Sequence, residues 1–156
     1  MSTPPTVSPT ASGATALGYA ASTYPWSSYA ASKTFPDSQA QWIWSNSTGY
    51  DVSATDVYPV FSTTINVTQN TQLLMNILVD DIAYVYVNGM FIKTITTNWN
   101  LPSYPIPLPL STGTIVIYIR VVNTGGAAGV VASITSSDGR TVFSRTGSDW
   151  FYRDDR

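Results

Sequence analysis

Two adjacent carboxylates are the residues of this sequence whose chemistry most needs an explanation. Asp80 and Asp81 lie between an apolar segment and an alternating Tyr/Val segment in LVDDIAYVYVNG, residues 78–89. Neighbouring residues of a regular strand point to opposite faces, and like charges disfavour each other's ionised forms. Three roles compete for the pair: acid–base catalysis, coordination of a hard cation, or a structural role, with Asp80 bonded to a turn and Asp81 solvated at the start of a strand.

Catalysis is the role that the composition disfavours most. A glycosidase places two carboxyl groups about 5–9.5 Å apart on either side of the bond that it cleaves, and two adjacent side chains cannot straddle a sugar ring in this way. The chain also has no His and no Cys. It therefore lacks the commonest general base, thiolate nucleophiles and the usual zinc ligands, and we expect no catalytic activity.

Length and charge narrow the remaining classes of function. The 156 residues, 44% of them hydrophobic, suffice for one domain with a sizeable core. Charged residues make up 10% of the chain and the net charge is −2, so there is no basic stripe for a nucleic-acid backbone. No apolar stretch reaches the length of a membrane span. We expect neither nucleic-acid binding nor membrane insertion.

The N-terminal segment differs in composition from the rest of the chain. Residues 1–38 are rich in Pro, Ser, Thr and Ala, and their first charged residue is Lys33, which is typical of an extended arm or linker. Aromatic anchors such as Trp26 and Phe35 would let this arm dock on a sheet or on a second copy of the chain. The first residues do not have the pattern of a secretory signal. We expect an extracellular or virion-surface location, reached by another route, after removal of a signal, or as part of a virus particle.

Beyond residue 40 the sequence has the period of two that half-buried strands require. Residues 61–67 alternate between apolar and polar side chains, and TIVIYIRVV, 114–122, places a row of branched residues on one face. LLMNILV, 73–79, is almost evenly apolar, as in an inner strand. No segment has a convincing helical period, so the pattern predicts an all-β protein.

Turn signals divide these strands into an antiparallel arrangement. Asn88-Gly89 and Asp138-Gly139 predict tight hairpins. The Pro-rich run at 101–110 predicts a long connection, because each Pro lacks the donor that a central strand needs. Seven or eight short strands of this kind predict an antiparallel β-sandwich with jelly-roll connections. We divide the chain into an extended N-terminal arm, a sandwich domain and a charged C-terminal tail, at residues 1–38, 39–152 and 153–156.

Four short motifs, in this order, resemble a known family. They are QWIW (41–44), LVDDIAYVYVNG (78–89), VIYIRVVNTGGAAGVVASI (116–134) and SDW (148–150). Together they resemble the galactose-binding-domain-like jelly rolls that accompany glycoside hydrolases such as rhamnosidases. The resemblance extends from Ala40 to Trp150 and implies a carbohydrate-binding β-sandwich.

The consecutive Asp pair is also similar to a motif of the protective-antigen-type sugar-binding domains of flocculin-like adhesins. In that family a cis peptide joins the two Asp, which hold a calcium ion together with an Asn and with carbonyls of a Gly-rich loop, and the ion contacts sugar hydroxyls. The matching positions here are Asp80, Asp81 and Asn123 for the metal, with Gly125 and Gly126 in the loop. The resemblance thus implies a calcium-assisted glycan site.

The tryptophans are candidates for stacking on a sugar ring or for packing in the core. Trp42 and Trp44 are two residues apart, so we expect them on one side of a strand and in the core. Trp150 has the same two interpretations. Trp99 lies among polar residues in TTNWN, which makes it the better candidate for an exposed ligand contact.

Two hypotheses of function follow from these observations. The first is a non-catalytic, lectin-like carbohydrate-binding or adhesion module, with a site formed by Asp80, Asp81, Trp99, Asn123, Gly125 and Gly126. Its ligand is a glycan or glycoconjugate, and its cofactor is calcium or none. The second is a structural or assembly protein, such as a virion surface or appendage subunit, which forms homo-oligomers through the arm.

Overall fold

The computed structural model of the chain describes residues 11–19, 35–47, 49, 59–96, 105–123 and 126–154. These residues form twelve β-strands and no helix, so no helix among them is long and apolar enough to cross a membrane. The strands are β1 (Ser12–Gly13), β2 (Thr15–Tyr19), β3 (Gln41–Trp44), β4 (Pro59–Thr71), β5 (Leu73–Asp80), β6 (Ile82–Val87), β7 (Met90–Thr96), β8 (Ile106–Pro107), β9 (Ser111–Val122), β10 (Gly129–Ser136), β11 (Val142–Arg145) and β12 (Phe151–Asp154).

The strands form two sheets that face each other across one main core. Sheet A has the order β1-β12-β4-β9-β6-β7, and sheet B has the order β2-β3-β10-β5-β8, with β11 paired to β10. Every pair of neighbouring strands is antiparallel. The predicted all-β antiparallel sandwich is therefore confirmed.

Alternation along the strands determines which side chains fill the core. Ile115, Ile117, Ile119 and Val121 on β9 are at most 1% exposed, whereas the residues between them are half-buried. On β4, residues 61, 65 and 67 are buried and residues 64 and 66 are exposed. The predicted period of two thus places one face of sheet A against sheet B.

A second, smaller apolar cluster covers the outer face of sheet B. It joins Phe35, Ala40, Trp42, Leu78 and Val131, all of which are buried, and Leu17 packs against it. Because Phe35 and Ala40 lie just before β3 in sequence, the segment that leads into β3 covers this face of sheet B. This cover explains why β5 is apolar on both of its faces.

The segment predicted to be an arm contributes to both sheets. Of residues 1–38 the structure describes 11–19 and 35–38, and the first of these ranges contains β1 and β2. β1 pairs with β12 in sheet A, and β2 pairs with β3 in sheet B. The sandwich therefore includes residues on the N-terminal side of the predicted boundary, because short Thr, Ala and Ser segments can pair through their backbones without a strong apolar pattern.

The tail and the tryptophan pair also differ from expectation. Arg153 and Asp154, placed in the tail by the sequence, are the last two residues of β12.

Trp42 and Trp44 are both fully buried, as predicted. They pack in different clusters, however, so the prediction that they share one face is wrong. The regular alternation stops at Ile43 and Trp44, which both join the main core.

The predicted turns form where the sequence places them. Asn88 and Gly89 have positive φ angles of 48° and 82° and join β6 to β7. Gly139, with a φ of 74°, lies between β10 and β11. In this second turn the Ser136 hydroxyl donates to Asp138 at 2.6 Å and the Arg140 amide donates at 3.0 Å, which lowers the pKa of Asp138.

We predict that the two faces of β9 differ strongly in their tolerance of truncation. Ile117→Ala should lower the free energy of unfolding by about 2–5 kcal/mol, because it leaves a cavity in the core. Val116→Ala on the opposite face is the matched control and should cost less than about 1 kcal/mol. Urea denaturation of both variants measures the difference. Equal costs would mean that β9 does not present the stated face to the core.

Candidate functional site

Two chain crossings between the sheets lie side by side at one end of the sandwich. The first crossing is Asp81, which links the end of β5 in sheet B to the start of β6 in sheet A. The second leads from the end of β9 in sheet A, through Asn123, to the start of β10 in sheet B. Because β5 pairs with β10 and β6 pairs with β9, the two crossings are neighbours.

The strand registers fix this juxtaposition residue by residue. In sheet B, Asp80 is paired with Gly129, and in sheet A, Ile82 is paired with Val122. Between the sheets, the amide of Asp81 donates to the carbonyl of Val122 at 3.2 Å. The acidic pair is therefore bonded to the residue that immediately precedes Asn123.

The two carboxylates differ in their exposure to solvent. Asp80 is 5% exposed and is classed among the buried polar residues, whereas Asp81 is half-buried. The peptide bond between them is cis, which is the arrangement implied by the resemblance to the protective-antigen-type domains. A buried carboxylate is costly unless polar or cationic groups compensate its charge, so Asp80 is not an ordinary surface acid.

Asn123 is the second buried polar residue at this end. It is 1% exposed, and its side-chain nitrogen donates to the carbonyl of Gly126 at 3.3 Å. Its Oδ1 atom is buried as well. Gly126 has a φ of 81°, a left-handed conformation that favours glycine. The Asn123 side chain is thus bonded to the backbone three residues further along the chain.

A turn that the sequence reasoning missed completes this end of the sandwich. The Gly49 amide donates to Asn46 Oδ1 at 3.0 Å, and the Gly49 carbonyl accepts from the Ala128 amide at 2.7 Å. The turn after β3 is therefore bonded to the segment between Asn123 and β10. An Asn three residues before a Gly is a recognisable turn signal, although it does not reveal which strand the turn will meet.

Two predicted site residues, Trp99 and Gly125, lie outside the described residues. Trp150 is described and is not a ligand platform, because it is fully buried. Its indole nitrogen donates to the Ser144 hydroxyl at 3.1 Å and to the Arg145 carbonyl at 3.0 Å. Its interpretation as a core residue holds.

This end of the sandwich carries side-chain oxygen atoms of the kind that coordinate hard cations and accept hydrogen bonds from hydroxyl groups. They comprise two carboxylates and one side-chain amide, and the described residues contain no cluster of three or more His, Cys, Asp or Glu. Calcium is compatible with such a set, since it accepts amide and backbone carbonyl oxygens beside carboxylates. The same oxygens can accept hydrogen bonds directly from sugar hydroxyls.

Comparison with known proteins shows similarity of fold to carbohydrate-related structures. The α-L-rhamnosidase of Streptomyces avermitilis, complexed with L-rhamnose, matches with a TM-score of 0.63 at 16% identity, over 75% of this chain and 12% of that chain. The apo form of the Pleurotus ostreatus lectin matches with a TM-score of 0.60 at 26% identity, over 74% of this chain and 35% of the lectin. The same lectin in complex with GalNAc matches with a TM-score of 0.57 at 27% identity, over 71% and 34%.

These matches confirm the resemblance to glycosidase-associated β-sandwiches at the level of the fold. The chain spans 12% of the rhamnosidase and about a third of the lectin, so it corresponds to one part of each. No family model matches the sequence, and no curated protein matches it.

We predict that Asn123→Ala loosens this end of the sandwich without unfolding it. The variant loses the bond to Gly126, so the Ala128 amide should exchange with solvent faster, and the free energy of unfolding should fall by about 1–3 kcal/mol. Hydrogen exchange followed by mass spectrometry measures the first effect. Asn66→Ala is the control, since Asn66 Oδ1 accepts from the Thr114 hydroxyl in an exposed position. This variant should leave the Ala128 amide protected.

Proposed function

We propose that this chain is a non-catalytic carbohydrate-binding module whose site is the end of the sandwich around Asp80, Asp81 and Asn123. One observation supports the proposal: the two crossings are adjacent, and the Asp81 amide donates to the carbonyl of Val122, the residue before the buried Asn123. Residues 80 and 123 are distant in sequence, and both are buried polar residues.

The chemistry of these three side chains fits a polyhydroxylated ligand. Their oxygens accept hydrogen bonds, and vicinal sugar hydroxyls can donate to two acceptors at once. Hydrogen bonds to a charged carboxylate are about twice as strong as neutral ones. The partial burial of the site further strengthens them, because water competes less for each acceptor.

Calcium is the cofactor that the same residues would hold. The Asp80 and Asp81 carboxylates and Asn123 Oδ1 would be its ligands, and the loop at 125–126 would add backbone carbonyls. A bound calcium ion supplies open coordination positions for sugar hydroxyls. The two carboxylates in turn supply the negative charge that a dication requires, and the ion would offset the cost of burying Asp80.

Similarity to a lectin supports the same assignment. The Pleurotus ostreatus lectin is 26–27% identical over the matched part, and one of its structures contains GalNAc. GalNAc is therefore a reasonable first probe for this chain. The adjacent positions of Asp80 and Asp81 argue against glycosidase chemistry, which needs carboxyl groups on both sides of the scissile bond.

We predict that Asp80→Asn weakens binding of GalNAc by about ten- to hundredfold, which corresponds to the loss of about 1.5–3 kcal/mol from a hydrogen bond to a charged group. Isothermal titration calorimetry of the full chain with calcium, and with EDTA, measures the affinity. Asp138→Asn is the matched control, because it makes the same change at an exposed turn between β10 and β11. It should bind like the unaltered chain.

Two results would count against the proposal. Failure of the folded chain to bind GalNAc, L-rhamnose or any member of a glycan array, with calcium present, would remove carbohydrate binding. Equal affinity of Asp80→Asn and the unaltered chain would move the site elsewhere. Binding that EDTA does not change would remove calcium alone and leave the carboxylates as direct acceptors.

A further inference from the structure

A polar cleft lies on the flank of sheet B, away from the acidic pair. It has a volume of about 390 Å³, within the range of roughly 300–1,000 Å³ that small-molecule sites occupy. Its walls are β11, the segment 146–149 that leads from β11 towards sheet A, and the chain around the start of β3. Arg145 pairs with Ser133 on β10, four residues beyond Gly129. At about 3.3 Å per residue, this is about 13 Å along β10 from the partner of Asp80.

The lining of this cleft is rich in planar hydrogen-bonding groups. Gln39 and Gln41 contribute amides, Arg145 a guanidinium and Asp149 a carboxylate. Gly147 lies between two of them: a Cβ at this position would be 3.4 Å from both Gln41 Oε1 and Asp149 Oδ1. The absence of a side chain at Gly147 therefore keeps the space between the Gln41 amide and the Asp149 carboxylate open.

The polar groups on one wall are held in place by the surrounding structure. Arg145 Nε donates to Asp37 at 2.8 Å and Arg145 Nη1 donates to Gln39 Oε1 at 3.2 Å. The Arg145 side chain is nevertheless 38% exposed, so part of it remains accessible to a ligand. Such fixed groups lose little side-chain entropy when a ligand binds.

The backbone that carries the Gln41 side chain is fixed by a buried hydroxyl. Thr146, which is 1% exposed, donates to the Gln41 carbonyl at 2.7 Å and accepts from the Ala132 amide at 3.0 Å. The Gln41 amide nitrogen of the backbone also donates to the Thr146 carbonyl at 2.9 Å. The backbone beneath the Gln41 side chain is thus bonded on both sides, which positions that side chain at the cleft.

We infer that this cleft is a second saccharide site, specific for a neutral sugar. The carboxylates of Asp149 and Asp37 disfavour an anionic ligand, since the charge of Arg145 is already balanced by Asp37 at 2.8 Å. Amide, carboxylate and guanidinium side chains together match the mixed donors and acceptors of a sugar ring. The half-buried Phe143 provides a limited apolar surface beside them. This inference stands independently of the site at Asp80.

Gly147→Leu is the variant that blocks the cleft most directly. Its backbone φ lies outside the left-handed region, and the contacts of an added Cβ would be ordinary van der Waals distances, so the backbone can accept a side chain. The leucine would then lie between Gln41 and Asp149. Gln41→Ala is the second variant, which removes one amide and leaves the backbone bonds of Gln41 intact. Ser137→Leu, at an exposed position of the hairpin, is the control for an added leucine.

The experiment is nuclear magnetic resonance of the ¹⁵N-labelled full chain, titrated with GalNAc, galactose, glucose and L-rhamnose at millimolar concentrations. We expect at least one sugar to shift the side-chain amides of Gln39 and Gln41 together with the indole signal of Trp150. The Trp150 indole reports on the cleft because it donates to Ser144 and to the Arg145 carbonyl. These shifts should persist in Asp80→Asn and in EDTA, and they should be lost in Gly147→Leu and Gln41→Ala but not in Ser137→Leu.

Three outcomes would overturn the inference. The first is the absence of any shift at these signals with all four sugars. The second is an unchanged response in Gly147→Leu and Gln41→Ala. The third is a response to inorganic phosphate without a response to any sugar, which would assign the cleft to anions. Binding at the cleft is followed by the signals of its own residues and is also measured in Asp80→Asn. A negative result at the cleft is therefore distinguishable from a negative result at the acidic site.

Discussion

The shared end of two chain crossings is the constraint on which the account of this protein depends. β5 pairs with β10 in one sheet, and β6 pairs with β9 in the other, so the connections β5–β6 and β9–β10 must leave the sheets next to each other. Antiparallel pairing in register fixes this arrangement, because a slip of one residue would turn the core face of β9 outward. The burial of four alternating residues on β9 therefore also fixes the position of Val122, whose carbonyl accepts from the Asp81 amide and which precedes Asn123.

The rest of the sandwich packs against the strands that carry these crossings. The main core joins both sheets, and the second cluster seals the outer face of β5 and β10 beneath Phe35 and Trp42. The ion pair between Arg145 and Asp37 links the segment 35–40, which precedes β3, to β11. Site residues that lie at the ends of well-packed strands lose little freedom when a ligand binds, which is the physical advantage of placing a site there.

Local signals in the sequence predict much of the fold. The Asn-Gly and Asp-Gly turns, the alternation on β4 and β9 and the evenly apolar β5 follow from steric and hydrophobic rules that act within a few residues. The resemblance to the protective-antigen-type domains implies that Asp80, Asp81 and Asn123 form one site, which stays a prediction. The strands at 12–19 were missed, because their short segments of Ser, Thr, Ala and Gly leave little alternation in the side chains, although Ala14 and Leu17 contact the core clusters.

Features that depend on long-range contacts could not be predicted from the sequence. The bond between Gly49 and Ala128 and the cleft between Gln41 and Asp149 each join residues that are far apart along the chain. Neither backbone groups in turns nor polar side chains in clefts have a periodicity that would reveal their partners. Trp42 likewise lies in a different cluster from Trp44 because it packs with Phe35 and Leu78, and only the tertiary structure determines that contact.

The most direct measurement is a crystal structure of the full chain grown with calcium and GalNAc. We predict density for a cation and a sugar hydroxyl at the acidic end, with the Asp80 and Asp81 carboxylates and Oδ1 of Asn123 as ligands at about 2.3–2.6 Å from the cation. A sugar bound at that end by the same oxygens without a cation would retain the site and remove the calcium. An Asn123 side chain remote from both carboxylates, or GalNAc bound only at another surface, would contradict the central claim.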